Sequence, residues 1–140
     1  MSRNIIMASH GTLAQGMKNT IEIILGSQPH LYCLCAYVKD NDDISLLVAE
    51  AINQFPIEDE IIIVTDIFGG SVNNEFMKYL TKPTIHLIAG LNLPLMIQLI
   101  TNEEQENTAQ FIDDAIKSSS QSIQYCNHTL NNSVITDNDF

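Results

Sequence analysis

Along this chain the hydrophobic positions keep switching between a strand-like run and a helical period. Asn4-Ile5-Ile6-Met7-Ala8-Ser9 is a short apolar stretch, after which Leu13, Met17, Ile21, Ile24 and Leu25 recur at helical spacing. That spacing predicts a helix from Leu13 to Leu25, with Thr12 as N-cap and Gly26 as C-cap. Leu31 to Val38 reads as a second strand, and Asp40-Asn41-Asp42-Asp43 supplies an acidic start for a helix from Ile44 to Phe55, stopped by Pro56. Glu60-Ile61-Ile62-Ile63-Val64-Thr65 is nearly all β-branched, as expected of a strand covered on both faces.

A helix from about Val72 to Leu80 follows Gly69-Gly70-Ser71, and Pro83 to Ala89 is the fourth strand. Asn92-Leu93 opens a further helix with Pro94 in its first turn, where a missing N–H costs nothing. Another helix is predicted from about Glu103 to Ile116, then a short last strand from Ile123 to Cys126, and a loose polar tail from Asn127 to Phe140. Regular alternation of strand and helix implies an α/β fold: a doubly wound parallel sheet with right-handed crossovers and helices on both faces. For a short sheet of this kind the common strand order is 2-1-3-4.

Composition narrows the function classes. Six Lys or Arg stand against seventeen Asp or Glu among 140 residues, a formal charge of −11. The basic residues Arg3, Lys18, Lys39, Lys78, Lys82 and Lys117 are scattered, so neither a phosphate backbone nor an anionic lipid surface has a basic stripe to meet. No apolar run approaches the ~20 residues of a membrane-spanning helix, and the N-terminus lacks a signal peptide's long apolar segment. The expectation is a cytoplasmic domain without direct membrane insertion. Cys33, Cys35 and Cys126 do not form the C-x-x-C of redox or zinc sites; Cys33 and Cys35 read as small apolar side chains on one strand face. His30, His86 and His128 are scattered, so no metal site is expected.

Ligands of such sheets bind beyond the carboxyl ends of the strands, where strand order reverses. That edge collects Ser9-His10-Gly11-Thr12, Thr65-Asp66-Ile67-Phe68-Gly69-Gly70-Ser71 and Ala89-Gly90-Leu91-Asn92-Leu93-Pro94. Taken singly, His10 reads as a surface residue, Asp66 as a turn former and the glycine pair as backbone permissiveness. In the order 2-1-3-4 they converge on one crevice, and His10 facing Asp66 becomes a candidate site.

The rest of the chemical menu is thin: there is no G-x-S-x-G elbow, no phosphate loop ending in Gly-Lys-Ser/Thr, and no G-x-G-x-x-G after the first strand. An imidazole, largely neutral near neutral pH, can attack phosphorus directly. A carboxylate on one ring nitrogen fixes which nitrogen does so. Two unit negative charges ~5 Å apart repel by about 3 kcal/mol at an effective dielectric of ~20. Asp66 is therefore expected at Nδ1, on the far side of the ring from a phosphate at Nε2. Backbone N–H groups at Gly70 and Ser71, with the Ser71 hydroxyl, are the expected phosphate-binding donors.

At these residues the chain resembles the enzyme IIA component of the mannose-family sugar phosphotransferase system (PTS). The likeness covers residues 1–126 and rests on three segments in order: the strand running into Ser9-His10-Gly11, Asp66-Ile67-Phe68-Gly69-Gly70-Ser71, and Ala89 to Pro94. It implies a flavodoxin-like fold, a phosphohistidine at Nε2 of His10, and no cofactor. It also implies the phosphocarrier protein HPr as donor, an enzyme IIB as acceptor, and the membrane subunits IIC and IID as indirect partners. Family members are typically homodimers that exchange the final strand, which Ile123 to Cys126 could do; the alternative is a strand added to the chain's own sheet.

The chain departs from the family pattern where Val72 replaces a common proline and Phe68 a common tryptophan, and no linker to a fused enzyme IIB follows. A free-standing subunit is the expectation. Alternative readings are the phosphotransfer subunit of the dihydroxyacetone kinase system, a regulatory phospho-acceptor, and a flavin or small-ligand module on the same fold.

Overall fold

The computed structural model describes residues 2–102 and 106–132. Its elements alternate: β1 (Arg3–His10), α1 (Leu13–Leu25), β2 (Leu31–Ala36), α2 (Ile44–Asn53), β3 (Glu60–Thr65), α3 (Ser71–Met77), β4 (Ile85–Ala89), α4 (Leu93–Thr101), α5 (Thr108–Ser120) and α6 (Cys126–Asn132). The four strands form one parallel sheet in the order β2-β1-β3-β4. The expected α/β architecture and strand order are both found.

The period of two along each strand divides the core. Ile5, Met7, Ile62 and Val64 point to the face covered by α1, α4 and α5, where they meet Ile21, Leu95, Met96, Leu99 and Phe111. Ile6, Ala8, Ile61 and Ile63 point the other way, against Val48 and Ile52 of α2 and Val72 and Phe76 of α3. β1 and β3 are therefore buried at nearly every position, whereas the outer strands β2 and β4 are only partly buried. Burying one such side chain is worth ~1.5–3 kcal/mol. Cys33 and Cys35 pack on the first face and Leu34 on the second, as their alternation implies.

Helix starts follow side-chain chemistry. Asp43, Asn92 and Asn107 each accept the backbone N–H three residues on, at 3.2, 2.9 and 3.0 Å, and so begin α2, α4 and α5. Thr12 occupies the N-cap position of α1 but makes no capping bond, because its backbone (φ −93°, ψ 12°) is not extended. Ser9 replaces it: its Oγ accepts the Ala14 N–H at 2.8 Å and donates to the Gly11 carbonyl at 3.1 Å.

Several boundaries differ from the sequence reading. β2 stops at Ala36 because Tyr37 turns to φ 62°, a conformation no ladder accepts. α2 and α3 end earlier than expected, at Asn53 and Met77. The helix expected from Glu103 starts at Thr108, where Asn107 caps it, and runs on to Ser120; residues 103–105 lie outside the described part. The short last strand is absent within this chain. Ile123 to Tyr125 join no ladder, and Cys126–Asn132 is helical, so the expected loose tail is ordered as far as residue 132. The cause is local satisfaction: the Tyr125 carbonyl accepts the N–H groups of His128 and Thr129, and the Thr129 hydroxyl donates to the Gln124 side chain. Residues 133–140 of the tail lie outside the described part.

At the amino edge of the sheet Glu60 gathers a polar network. Its Oε1 accepts the Thr108 hydroxyl at 2.6 Å, its Oε2 lies 2.9 Å from His86 Nε2, and Arg3 Nε stands 3.8 Å away while the guanidinium covers the Phe111 ring. Burial alone would raise the Glu60 carboxyl, but the bonds from Thr108 and His86 and the charges of His86 and Arg3 outweigh it and lower its pKa.

The two cores make a stability prediction. Ile63, fully buried in the central strand, should cost roughly 2–5 kcal/mol when replaced by Ala. Ile57→Ala, at an exposed position, should stay within about 0.5 kcal/mol. Urea unfolding of the two variants checks the contrast.

Candidate active site

The site grows from the β1–β3 pairing. Ala8 lies opposite Thr65 in the register, and the Asp66 N–H continues the ladder by donating to the Ala8 carbonyl at 3.1 Å. Asp66 thus arrives beside His10, the last residue of β1, at the point where strand order reverses. Its Oδ2 accepts two bonds from the same residue, one from the His10 backbone N–H and one at His10 Nδ1, both 2.8 Å. Its Oδ1 accepts the Ile67 N–H at 3.0 Å. Partial burial would raise this carboxyl, yet the backbone and ring bonds from His10, and the charge the ring can carry, outweigh it and hold the pKa below the ordinary value.

A carboxylate only accepts hydrogen bonds, so the neutral imidazole carries its proton on Nδ1 and its lone pair on Nε2. Nε2 faces the Ser71 hydroxyl, 3.3 Å away at the start of α3. That hydroxyl lies 2.7 Å from the hydroxyl of Tyr37, whose ring stacks on the imidazole with centroids 5.3 Å apart and planes inclined by 19°. The histidine side chain is 40% exposed and the aspartate only 13%. The imidazole is therefore reachable, while the carboxylate that orients it is sheltered.

Two features carry Ser71 to this place. Gly69 takes φ 80°, which bends the loop after Ile67-Phe68 back toward the sheet. Gly70 then lies against the imidazole; a Cβ there would sit 3.2 Å from His10 Cε1 and 2.8 Å from Ile67 Cγ2. Behind them the buried Thr65 hydroxyl donates to Asn73 Oδ1 at 2.7 Å, tying the first turn of α3 to the end of β3.

Of the residues singled out from the sequence, His10, Asp66, Gly70 and Ser71 all meet at this crevice. The Gly70 N–H, expected as an open phosphate donor, instead donates to the Ile67 carbonyl at 3.3 Å. The third strand-end segment buttresses the site: Gly90 and Leu91 both donate to the Thr65 carbonyl at 2.9 Å, and Asn92 caps α4. Cys33 is a poor nucleophile, since burial pushes its thiol up to about 11. Among the described residues no three His, Cys, Asp or Glu side chains gather as a metal ion requires. Sequence reading missed Tyr37. Its signal was available, because β2 lies beside β1 and the residues after β2 reach the same edge.

Residues 4–116 match the family model EIIA-man, described as PTS system fructose IIA component. The PTS system fructose-specific EIIA component of Bacillus subtilis (strain 168) is 22% identical over 129 residues, 91% of this chain and 88% of that protein. The PTS system sorbose-specific EIIA component of Lacticaseibacillus casei is 24% identical over 115 residues, 81% of this chain and 83% of that one. A crystal structure from Klebsiella pneumoniae subsp. pneumoniae MGH 78578, provisionally assigned as a phosphoenolpyruvate-dependent sugar PTS permease, superposes with a TM-score of 0.91. It is 48% identical and covers 93% of this chain and 95% of its own.

The depressed pKa of Asp66 has a measurable consequence. Its contribution to stability is complete above the unfolded carboxyl value, near pH 4, and is lost as pH falls through the lower folded value. The stability gap between the wild type and Asp66→Asn in urea should therefore narrow with acidification below about pH 4. Glu60 titrates in both proteins and cancels in the comparison.

Proposed function

The chain belongs to the EIIA-man family of sugar phosphotransferase-system components, and from that membership and the site geometry we propose that His10 carries a phosphoryl group between two proteins. The observation that carries the reading is the contact of Asp66 Oδ2 with His10 Nδ1, which leaves the Nε2 lone pair facing the crevice. Phospho-HPr is the donor and an enzyme IIB the acceptor, with the membrane subunits IIC and IID served indirectly.

In the transfer, the Nε2 lone pair forms a bond to phosphorus as the donor's bond to phosphorus breaks, and the donor keeps the bonding pair. No proton changes hands. The His10 ring becomes cationic with Nδ1–H still in place, and the Asp66 carboxylate stabilises that charge from the side away from the phosphoryl oxygens. The Ser71 hydroxyl turns from Nε2 to a phosphoryl oxygen and holds the group without a fixed positive charge. Delivery to enzyme IIB is the same step in reverse, so moderate stabilisation serves a carrier better than tight binding.

The surroundings suit protein partners. Tyr37 and Val38 after β2, and Ile67 and Phe68 between Asp66 and the glycines, are all more than half exposed. Apolar side chains clustered beside a reactive group are what a docking protein would cover. No helix among the described residues is long and apolar enough to cross a membrane. A homodimer would cover Ile123, Tyr125 and Leu130, which the single chain leaves exposed.

Incubation with phosphoenolpyruvate, enzyme I and HPr should label His10 with acid-labile phosphate, and His10→Ala should take up none; undiminished labelling of that variant refutes the assignment. Asp66→Asn should keep the fold and slow single-turnover transfer by roughly 10–100-fold, because the ring loses the partner that fixes its tautomer. A rate equal to wild type in stopped-flow measurements removes Asp66 from the mechanism.

A further inference from the structure

We propose that Tyr37 is a positioning residue for transfer: its hydroxyl fixes the Ser71 hydroxyl against His10 Nε2, and its ring holds the plane of the imidazole. The inference rests on His10 as the phosphoryl acceptor.

Three observations converge on Tyr37. Its backbone lies at φ 62°, a conformation that is rare and costly for a bulky side chain and persists only where the surroundings enforce it. The enforcement is visible. Asp42 Oδ2 accepts the N–H groups of both Val38 and Lys39, at 3.1 and 3.2 Å, and the Ala36 carbonyl accepts Gly11 N–H at 2.7 Å. Burial is not the reward, because the tyrosine stays half exposed. What the turn achieves is to lay the ring over the imidazole and bring the phenol to 2.7 Å from Ser71 Oγ.

Proton inventory then fixes the direction of the chain. Asp66 takes the Nδ1 proton, so Nε2 can only accept, and the Ser71 O–H donates to it. Ser71 Oγ is left as an acceptor, and the Tyr37 O–H donates to it. Once phosphorus occupies the Nε2 lone pair, the serine proton must turn to a phosphoryl oxygen. The bond from Tyr37 survives that turn and keeps Oγ in place before and after transfer. Tyr37 thus acts through Ser71 and touches no reacting atom with its hydroxyl.

The test is a double-mutant cycle in the full chain. Tyr37→Phe, which keeps the ring, should slow single-turnover labelling by phospho-HPr roughly 3- to 10-fold with an unchanged KM for the donor. Ser71→Ala should slow it at least as much, and the double variant no more than Ser71→Ala alone. Tyr37→Leu, which also loses the stacking, should be slower than Tyr37→Phe. In the unphosphorylated protein, Tyr37→Phe should move the NMR resonance of His10 Nε2 toward that of a nitrogen without a hydrogen bond and leave Nδ1 in place. Wild-type rates in Tyr37→Phe, multiplicative losses in the double variant, or an unmoved Nε2 resonance overturn the proposal. Absence of label on the wild type is a different failure: it removes the phosphoryl acceptor, while the resonances still decide whether Tyr37 orders Ser71.

Discussion

One carboxylate oxygen, Oδ2 of Asp66, is bonded to both the backbone and the ring of His10, and the site depends on that double contact. The backbone bond fixes where the end of β1 lies against the end of β3. The ring bond fixes which face of the imidazole looks outward and which nitrogen keeps its lone pair. Neither bond is possible unless the register sets Ala8 opposite Thr65, and that register is held by apolar side chains on both sheet faces. A slip of one residue would turn each of those side chains to the opposite face, so the packing of the strands and the chemistry at their ends are fixed by the same constraint.

The two edges of the sheet use charged groups differently. At the amino edge Glu60, His86, Arg3 and Thr108 satisfy one another, leaving little capacity for an outside partner. At the carboxyl edge the chain of contacts runs from Asp66 through the imidazole to Ser71 and Tyr37, and it ends at a face open to solvent. The first arrangement holds elements together. The second leaves one atom, Nε2, with its lone pair toward the exposed face.

Much of this was legible from residue order. The β-branched run from Ile61 to Val64 carries the signature of a doubly covered strand, and regular alternation with helical segments then implies a parallel sheet. His10 and Asp66 followed from strand order and needed no knowledge of loop shape. What escaped the sequence depended on loops and on choices among nearby donors. Thr12 reads as the cap of α1, and only its backbone angles, which leave that role to Ser9, show otherwise. Tyr37 reads as a strand residue until its φ is known, because nothing in an aromatic side chain announces a left-handed turn. Ile123 to Cys126 has a strand's composition, but the Tyr125 carbonyl accepts the His128 and Thr129 N–H groups and a helix begins at Cys126 instead.

The partial exposure of the imidazole has one more consequence. A nitrogen that a protein can reach is equally open to water, and no lid among the described residues closes over it. A phosphorylated side chain in such a place is a perishable intermediate, whose survival is set by hydrolysis against the waiting time for the next collision. Under the proposed function, such an open site suits rapid relay at high partner abundance and is poorly suited to long-term storage.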